Sequence, residues 1–348
     1  TKENSSLGFG LFYMIVNIGA LVGPLFASEL REENWKYVFY MSSAIIFLNL
    51  ILVLLFYKEP PRKQMKESFG TSLKNIFRNI WIALKDRKFL ILLFIIIGFW
   101  TMYNQFFYAL PVFIEQWVDT SKIYDFFYSF WPWFAEKYGT ENGIFLPEKI
   151  INFDAFYIIL FQVLISTLIM RFKPLATMTA GFLVCSIGIG LTFFTQNSLF
   201  ILFAILIFAI GEMSSSPRIQ EYIGSIAPPD KTALYMGCSY LPFAGGSFLA
   251  GIISGSVYES VSDKITLLKH EVAKRDLSIP EIKGEFTKND FMNKAGELMN
   301  MNQTELTNFL WENYQPYKIW YIVTGIGVAT AIFLFIYDKV ILKKLRIN

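Results

Sequence analysis

The sequence predicts an all-α polytopic membrane protein. Three observations carry that reading. Of the 348 residues, 54% are hydrophobic and 17% charged, where an ordinary soluble domain has about 25% charged, and the mean hydropathy is +0.43. The apolar residues gather into eight windows, each near the roughly 20 residues that a helix needs to cross a bilayer. The basic residues collect between alternate windows, as they do in cytoplasmic loops. Backbone inside hydrocarbon must satisfy its own hydrogen bonds, so the windows are helices; the apolar/polar alternation of barrel strands is absent.

In chain order the windows are 7–29, 36–57, 89–116, 153–172, 174–195, 198–225, 233–259 and 317–338. The third has no charge from Phe89 to Phe113, and the fifth none from Pro174 to Thr195. Between the second and third lies a basic segment with Lys58, Arg62, Lys63, Lys66, Lys74, Arg78, Lys85, Arg87 and Lys88 against Glu59, Glu67 and Asp86. That segment is expected on the cytoplasmic side, and alternation puts RFKP (171–174), PPDK (228–231) and the tail 341–348 there too. TQNS (195–198), which has no basic residue, falls outside. Both ends of the chain are then cytoplasmic, and the expected location is a plasma membrane, a bacterial inner membrane in particular.

Within the basic segment, Leu73, Ile76, Phe77, Ile80, Trp81 and Leu84 recur at helical spacing. This predicts an amphipathic helix suited to an anionic leaflet and able to link two halves of a carrier. The expected organisation is two helices in 1–57, a linker in 58–88, and a six-helix bundle in 89–340. Outer loops at 117–152 and 260–316 and a short tail at 341–348 complete it. The first loop carries the aromatic run FFYSFWPWF, suited to a membrane interface; the second predicts helices around 265–274 and 304–314.

Several function classes drop out. The net charge of +3 gives no reason to expect nucleic acid. Cys185 and Cys238 sit in apolar stretches with no CxxC spacing and read as packing. His270 is the one histidine, so multi-histidine metal sites and histidine relays are excluded; no cofactor is expected. With no HExxH, no nucleophile–base set and no close carboxylate pair foreseen within the spans, the chain does not read as an enzyme. A sensor that uses the 260–316 insert as its ligand domain is a further alternative.

The candidate site centres on Glu212, a carboxylate inside the apolar run of the sixth window. At 1.5 Å per residue it lies about 21 Å along its helix, near mid-depth, where a charge costs about 2.5–3.5 kcal/mol and faces a cavity or a partner. Ser215 and Ser216 follow on the same face. Pro217 removes a helix hydrogen bond and frees a carbonyl near Met213. Arg218 points elsewhere and has Glu221 as its local partner, a pair suited to structure or gating. Asn104 and Gln105 are polar residues of the third window, able to bind substrate or to bond neighbouring helices. Asp154 reads as a helix cap or a site residue. Tyr13, Tyr103 and Tyr240 can line a cavity or pack. Gly19 with Gly23, and Gly251 with Gly255, are small-xxx-small pairs that predict close helix packing.

Two stretches carry a family resemblance. The first window reads FYMIVNIGAL at Phe12–Leu21 and resembles the F-Y-x-x-I-N-x-G-[SA]-L signature of the proton-dependent oligopeptide transporters, within the major facilitator superfamily. It matches at Phe12, Tyr13, Asn17, Gly19, Ala20 and Leu21, with Val16 in place of isoleucine. GEMSSSP at Gly211–Pro217 is similar to that family's tenth-helix G-E-x-x-x-S-P, and Ala227–Pro228 and Met236–Gly237 follow in the family's order. The resemblance implies a twelve-helix carrier of which these eight helices are the fifth to twelfth, so that four helices of the same protein precede Thr1. It further implies proton-coupled uptake of di- and tripeptides by alternating access, with Glu212 contacting the substrate amino group and exchanging a proton. The sequence departs from the family at Asn104, where the seventh helix has a glutamate, at Asp154 and Ala155 in place of N-P, and at Ser239 in place of tryptophan. Another carried solute, an organic anion or a drug, is the alternative.

Overall fold

The computed structural model describes residues 5–58, 69–192 and 195–343. Arg62, Lys63 and Lys66 of the basic segment and most of the tail lie outside the described residues. In chain order the helices are α1 (Ser5–Glu33), α2 (Trp35–Phe56), α3 (Phe69–Leu84), α4 (Arg87–Tyr103), α5 (Gln105–Tyr108), α6 (Leu110–Trp117), α7 (Ser121–Phe130), α8 (Pro132–Tyr138), α9 (Pro147–Ile151) and α10 (Phe153–Ile169). Then come α11 (Pro174–Leu191), α12 (Ser198–Ile226), α13 (Thr232–Cys238), α14 (Leu241–Ile252), α15 (Tyr258–Val261), α16 (Lys264–Lys274), α17 (Lys288–Met299), α18 (Gln303–Tyr314) and α19 (Ile319–Ile336). Among the described residues there is no β-sheet, only two isolated bridges. Seven stretches are long and apolar enough to cross a membrane, and α1 holds a shorter apolar run, Leu7–Gly23. These stretches correspond to the eight windows.

Proline chemistry explains how the third and seventh windows are divided. Pro111 has no N–H for the carbonyl four residues back, and the third window breaks at Ala109, after a first interruption at Asn104. Pro242 acts likewise on the seventh, which breaks at Ser239–Tyr240; that window then passes through a π-helical turn at Ile253–Val257. Pro217, in contrast, leaves α12 continuous. The carbonyl it frees, that of Met213, accepts from Gln162 Nε2 of α10 at 3.4 Å.

The bundle is α4, α10, α11, α12, α14 and α19, with α1 laid against α10 and α12. No residue of α2 is buried; it packs on α1. The tightest seam joins α11 to α12 through glycines. A Cβ on Gly181 would stand 2.8 Å from the Gly211 carbonyl, and one on Gly211 would strike the backbone of Cys185. The two predicted small-xxx-small pairs make no such approach among the described residues, where nothing comes within 4 Å of a Cβ at Gly19, Gly23, Gly251 or Gly255. The close approaches fall at glycines that face a neighbouring helix, and sequence spacing alone does not show which those are.

The amphipathic linker forms α3, with Phe77 and Trp81 exposed. Its end is fixed to the bundle at Asp86, which caps α4 by accepting from Lys88 N and Phe89 N and also accepts from the Tyr235 hydroxyl at 3.2 Å. At the opposite end, the loop 117–152 is mostly helical, with Phe126, Phe130, Trp131 and Trp133 exposed. The insert holds three helices, α16, α17 and α18, where the sequence reading placed two. The overlooked α17 starts with a capping box, Thr287 and Asp290 bonding each other's backbone, and α18 starts with another, Asn302 with Glu305. Both are readable as a short polar residue followed three positions on by an acid.

Candidate functional site

Four helices converge on Glu212. It is 1% exposed, midway along α12. Tyr103, at the end of α4, donates its hydroxyl to Glu212 Oε1 at 2.6 Å, and Tyr13 of α1 donates to the same oxygen. Asp154, in the first turn of α10, is 3% exposed, and its carboxyl lies beside that of Glu212. This corrects two expectations. Asp154 caps no helix: α10 has no side-chain cap, and Asn152 holds the cap position. And the spans do hold a close carboxylate pair, invisible in the sequence because its members lie on different helices.

The pair is enclosed by apolar groups. Ile158, Ala209 and Met213 are fully buried beside it, with Tyr13 and Tyr157 against them. The Tyr103 ring stacks on Phe208 at 5.6 Å and lies 5.0 Å from Trp100. Cys185 is buried next to the pair, with its thiol on the Phe208 carbonyl at 3.4 Å.

The polar accounting around the pair is incomplete. Among the described residues, Glu212 Oε2 and Asp154 Oδ1 have no hydrogen-bond partner, and neither has the nearby Ser216 Oγ. Buried polar atoms are nearly always paired. One proton shared between the two carboxyls would satisfy oxygens that no donor reaches. A carboxyl–carboxyl contact is itself a hydrogen bond only when one member carries a proton.

The other predicted residues are distributed elsewhere. Asn104 donates to Ser247 at 3.1 Å and Gln105 to the Ala250 carbonyl at 3.0 Å. Both join the broken α4–α5 to α14, the helix-bonding role weighed for them against substrate contact. Tyr240 is 68% exposed at the break before α14 and does not join Tyr13 and Tyr103. Ser239 bonds Gln220 at 3.0 Å. Arg218 is 2% exposed. It pairs with Glu221 at 2.5 Å and donates to the Ile169 carbonyl at 2.6 Å, which ties α12 to the C-terminus of α10. Its charge is therefore engaged away from Glu212. Gln162, which no motif singled out, closes the polar line on α10 by bonding Ser166 at 2.8 Å and the Met213 carbonyl. Its signal was a lone amide in an otherwise apolar helix.

Comparison with known proteins agrees with a carrier fold. Residues 1–124 match the model of the Major Facilitator Superfamily. Over 257 residues the chain is 27% identical to a Na(+), Li(+), K(+)/H(+) antiporter of Planococcus maritimus, which covers 70% of this chain and 58% of that protein. It is 24% identical over 257 residues to the uncharacterized MFS-type transporter YqjV of Bacillus subtilis (strain 168), with 72% and 57% covered. It is 24% identical over 251 residues to the multidrug resistance protein MdtH of Aeromonas salmonicida (strain A449), with 72% and 55% covered. The chain spans a little over half the length of these relatives, and none of the three names mentions peptides. The all-α architecture with its apolar spans and these similarities support a multi-pass membrane protein.

Proposed function

We propose that this chain carries the exchange site of a secondary antiporter, which moves a cation in one direction and protons in the other through the carboxyl pair Glu212–Asp154. The observation behind this reading is the pair itself. Two buried carboxyls lie side by side, each with an oxygen that no donor reaches among the described residues. A proton and a cation neutralise the same charge, and an apolar enclosure penalises leaving that charge bare. The site therefore holds one or the other, and mutual exclusion at one site is what couples two fluxes. The tyrosines orient Glu212 and keep its Oε1 satisfied while the second oxygen meets the exchanging ion.

Alternating access then needs the pair to face each side in turn. Tyr13 reaches Glu212 from α1, outside the six-helix bundle, so rocking of α1 and α2 against the bundle opens or closes that contact. In this reading the further length that the relatives possess supplies the rest of the cavity. Both ends of the chain face the cytoplasm in a plasma membrane, and Arg218 with Glu221 latches α12 to α10 near the cytoplasmic end.

The resemblance to the oligopeptide transporters supports a second reading, proton-coupled peptide uptake, in which Glu212 takes the peptide ammonium. Cation exchange is preferred because a peptide also brings a carboxylate, and Arg218 is engaged elsewhere. The relative named for cation exchange points the same way.

The test is transport by the intact protein in proteoliposomes loaded with a pH dye at acid pH. Addition of Na⁺, K⁺ or a lipophilic organic cation outside should make the lumen more alkaline. Glu212→Gln and Asp154→Asn should each abolish the response while eluting as folded protein on size exclusion. No response to any cation, together with dipeptide uptake driven by a proton gradient, would replace this reading with the peptide one.

A further inference from the structure

We infer that the cavity between the insert and the end of α6 is a second ligand site, separate from the carboxyl pair, which takes a small zwitterion of the amino-acid class. The cavity holds about 600 Å³, within the size range of small-molecule sites. It opens beside Trp117, whereas Tyr103 lies fourteen residues earlier in the same broken span, about 21 Å away at helical rise.

Its floor is cationic. Lys264 and Thr307 both line it, and Lys264 Nζ donates to Thr307 Oγ1 at 2.6 Å while lying 5.5 Å from the centre of the Trp117 ring. An ammonium has three donors, and Thr307 takes one. The adjacent Asp263 is engaged elsewhere, accepting from Gln116 Nε2 and from the Thr266 backbone and hydroxyl. Lys264 opens α16, and Gln303 and Thr304 of the first turn of α18 add polar groups to the lining. The floor therefore suits a carboxylate.

The rim is different. Glu115 and Asp119 stand there, exposed, together with Lys122. The two acids oppose a purely anionic ligand and attract an ammonium. A molecule with one carboxylate and one ammonium satisfies floor and rim together, and the four charged side chains sum to zero, as such a ligand requires.

The experiment is calorimetric titration of the intact protein in nanodiscs with L-alanine and L-glutamine, with acetate and methylammonium as single-charge controls. At least one amino acid should bind saturably, and at least tenfold more tightly than either control. Lys264→Met and Thr307→Val, the second a near-isosteric change, should each weaken it tenfold or more, while cation-driven proton exchange persists. Four results overturn the inference. These are no amino-acid binding by the unmodified protein, acetate binding as tightly as the amino acids, binding unchanged in both variants, and loss of binding in Glu212→Gln, which would move the ligand to the central pair.

Discussion

Tyr103→Phe removes one oxygen from the candidate site and leaves the packing in place. The ring keeps its neighbours, Phe99 at 5.7 Å, Phe208 at 5.6 Å and Phe107 at 5.5 Å between centroids, so no cavity opens. What disappears is the 2.6 Å hydrogen bond to Glu212 Oε1. A hydrogen bond to a charged group contributes about 1.5–3 kcal/mol. At about 1.4 kcal/mol per decade, that corresponds to roughly 10- to 150-fold in an equilibrium constant. Tyr13 donates to the same oxygen and takes over part of the role, so the single variant should fall near the lower end, about tenfold. The loss should appear as weaker apparent affinity for the exchanged cation, because the hydroxyl supports the ionised carboxylate that the cation meets. The assay is initial rate of proton exchange against cation concentration in proteoliposomes. Tyr13→Phe combined with Tyr103→Phe should lose more than either alone. Affinities within twofold of the unmodified protein in both the single and the double variant would refute the claim that these hydroxyls serve the exchange site.

Three further predictions concern the framework. Gly211→Ala puts a Cβ 2.3 Å from the backbone nitrogen of Cys185 and should destabilise by about 1–3 kcal/mol, the range for overpacking; Gly19→Ala, whose Cβ meets nothing within 4 Å among the described residues, should leave thermal unfolding nearly unchanged, and equal effects would contradict the seam. In the insert, burial pushes the Glu271 carboxyl up, but the Tyr314 hydroxyl and the Arg275 guanidinium, at 2.7 and 2.5 Å, outweigh it and hold the group below its ordinary range. A depressed carboxyl contributes stability above its unfolded value, about 4.3, and loses it as pH falls through the folded value; Glu271→Gln should flatten that acid limb in a thermal-unfolding series. Burial lowers Lys264 to about 8, so between about pH 8 and 10.4 the unfolded chain binds more protons and stability should rise with pH. Lys264→Met should remove that rise, and an unchanged slope would show that the ammonium is fully solvated.

How much of this was legible in sequence depended on whether the signal was local. The spans were legible because length and apolarity suffice. Glu212 stood out because a charge within an apolar run has few ordinary explanations. The carbonyl freed by Pro217 was foreseen near Met213, though not its partner Gln162, which lies on another helix. Asp154 was weighed as a cap because short acids near a helix start usually are; only the packing of α10 against α12 brings it to Glu212. The glycine pairs meet no helix among the described residues for the same reason, since spacing marks a possible seam and the neighbouring helix decides whether it is used. The missed α17 was legible in principle through its capping box. The insert cavity was not, as its floor and rim come from positions as far apart as Glu115 and Thr307.

The central claim is that one buried carboxyl pair holds either a proton or a cation. Its most direct measurement needs no membrane gradient: purified intact protein in weakly buffered detergent solution, titrated with the cation that drives exchange, with released protons read by a soluble pH dye. Proton release should saturate with cation binding and vanish in both Glu212→Gln and Asp154→Asn. Cation binding with no proton release, or release that persists in both variants, would contradict it.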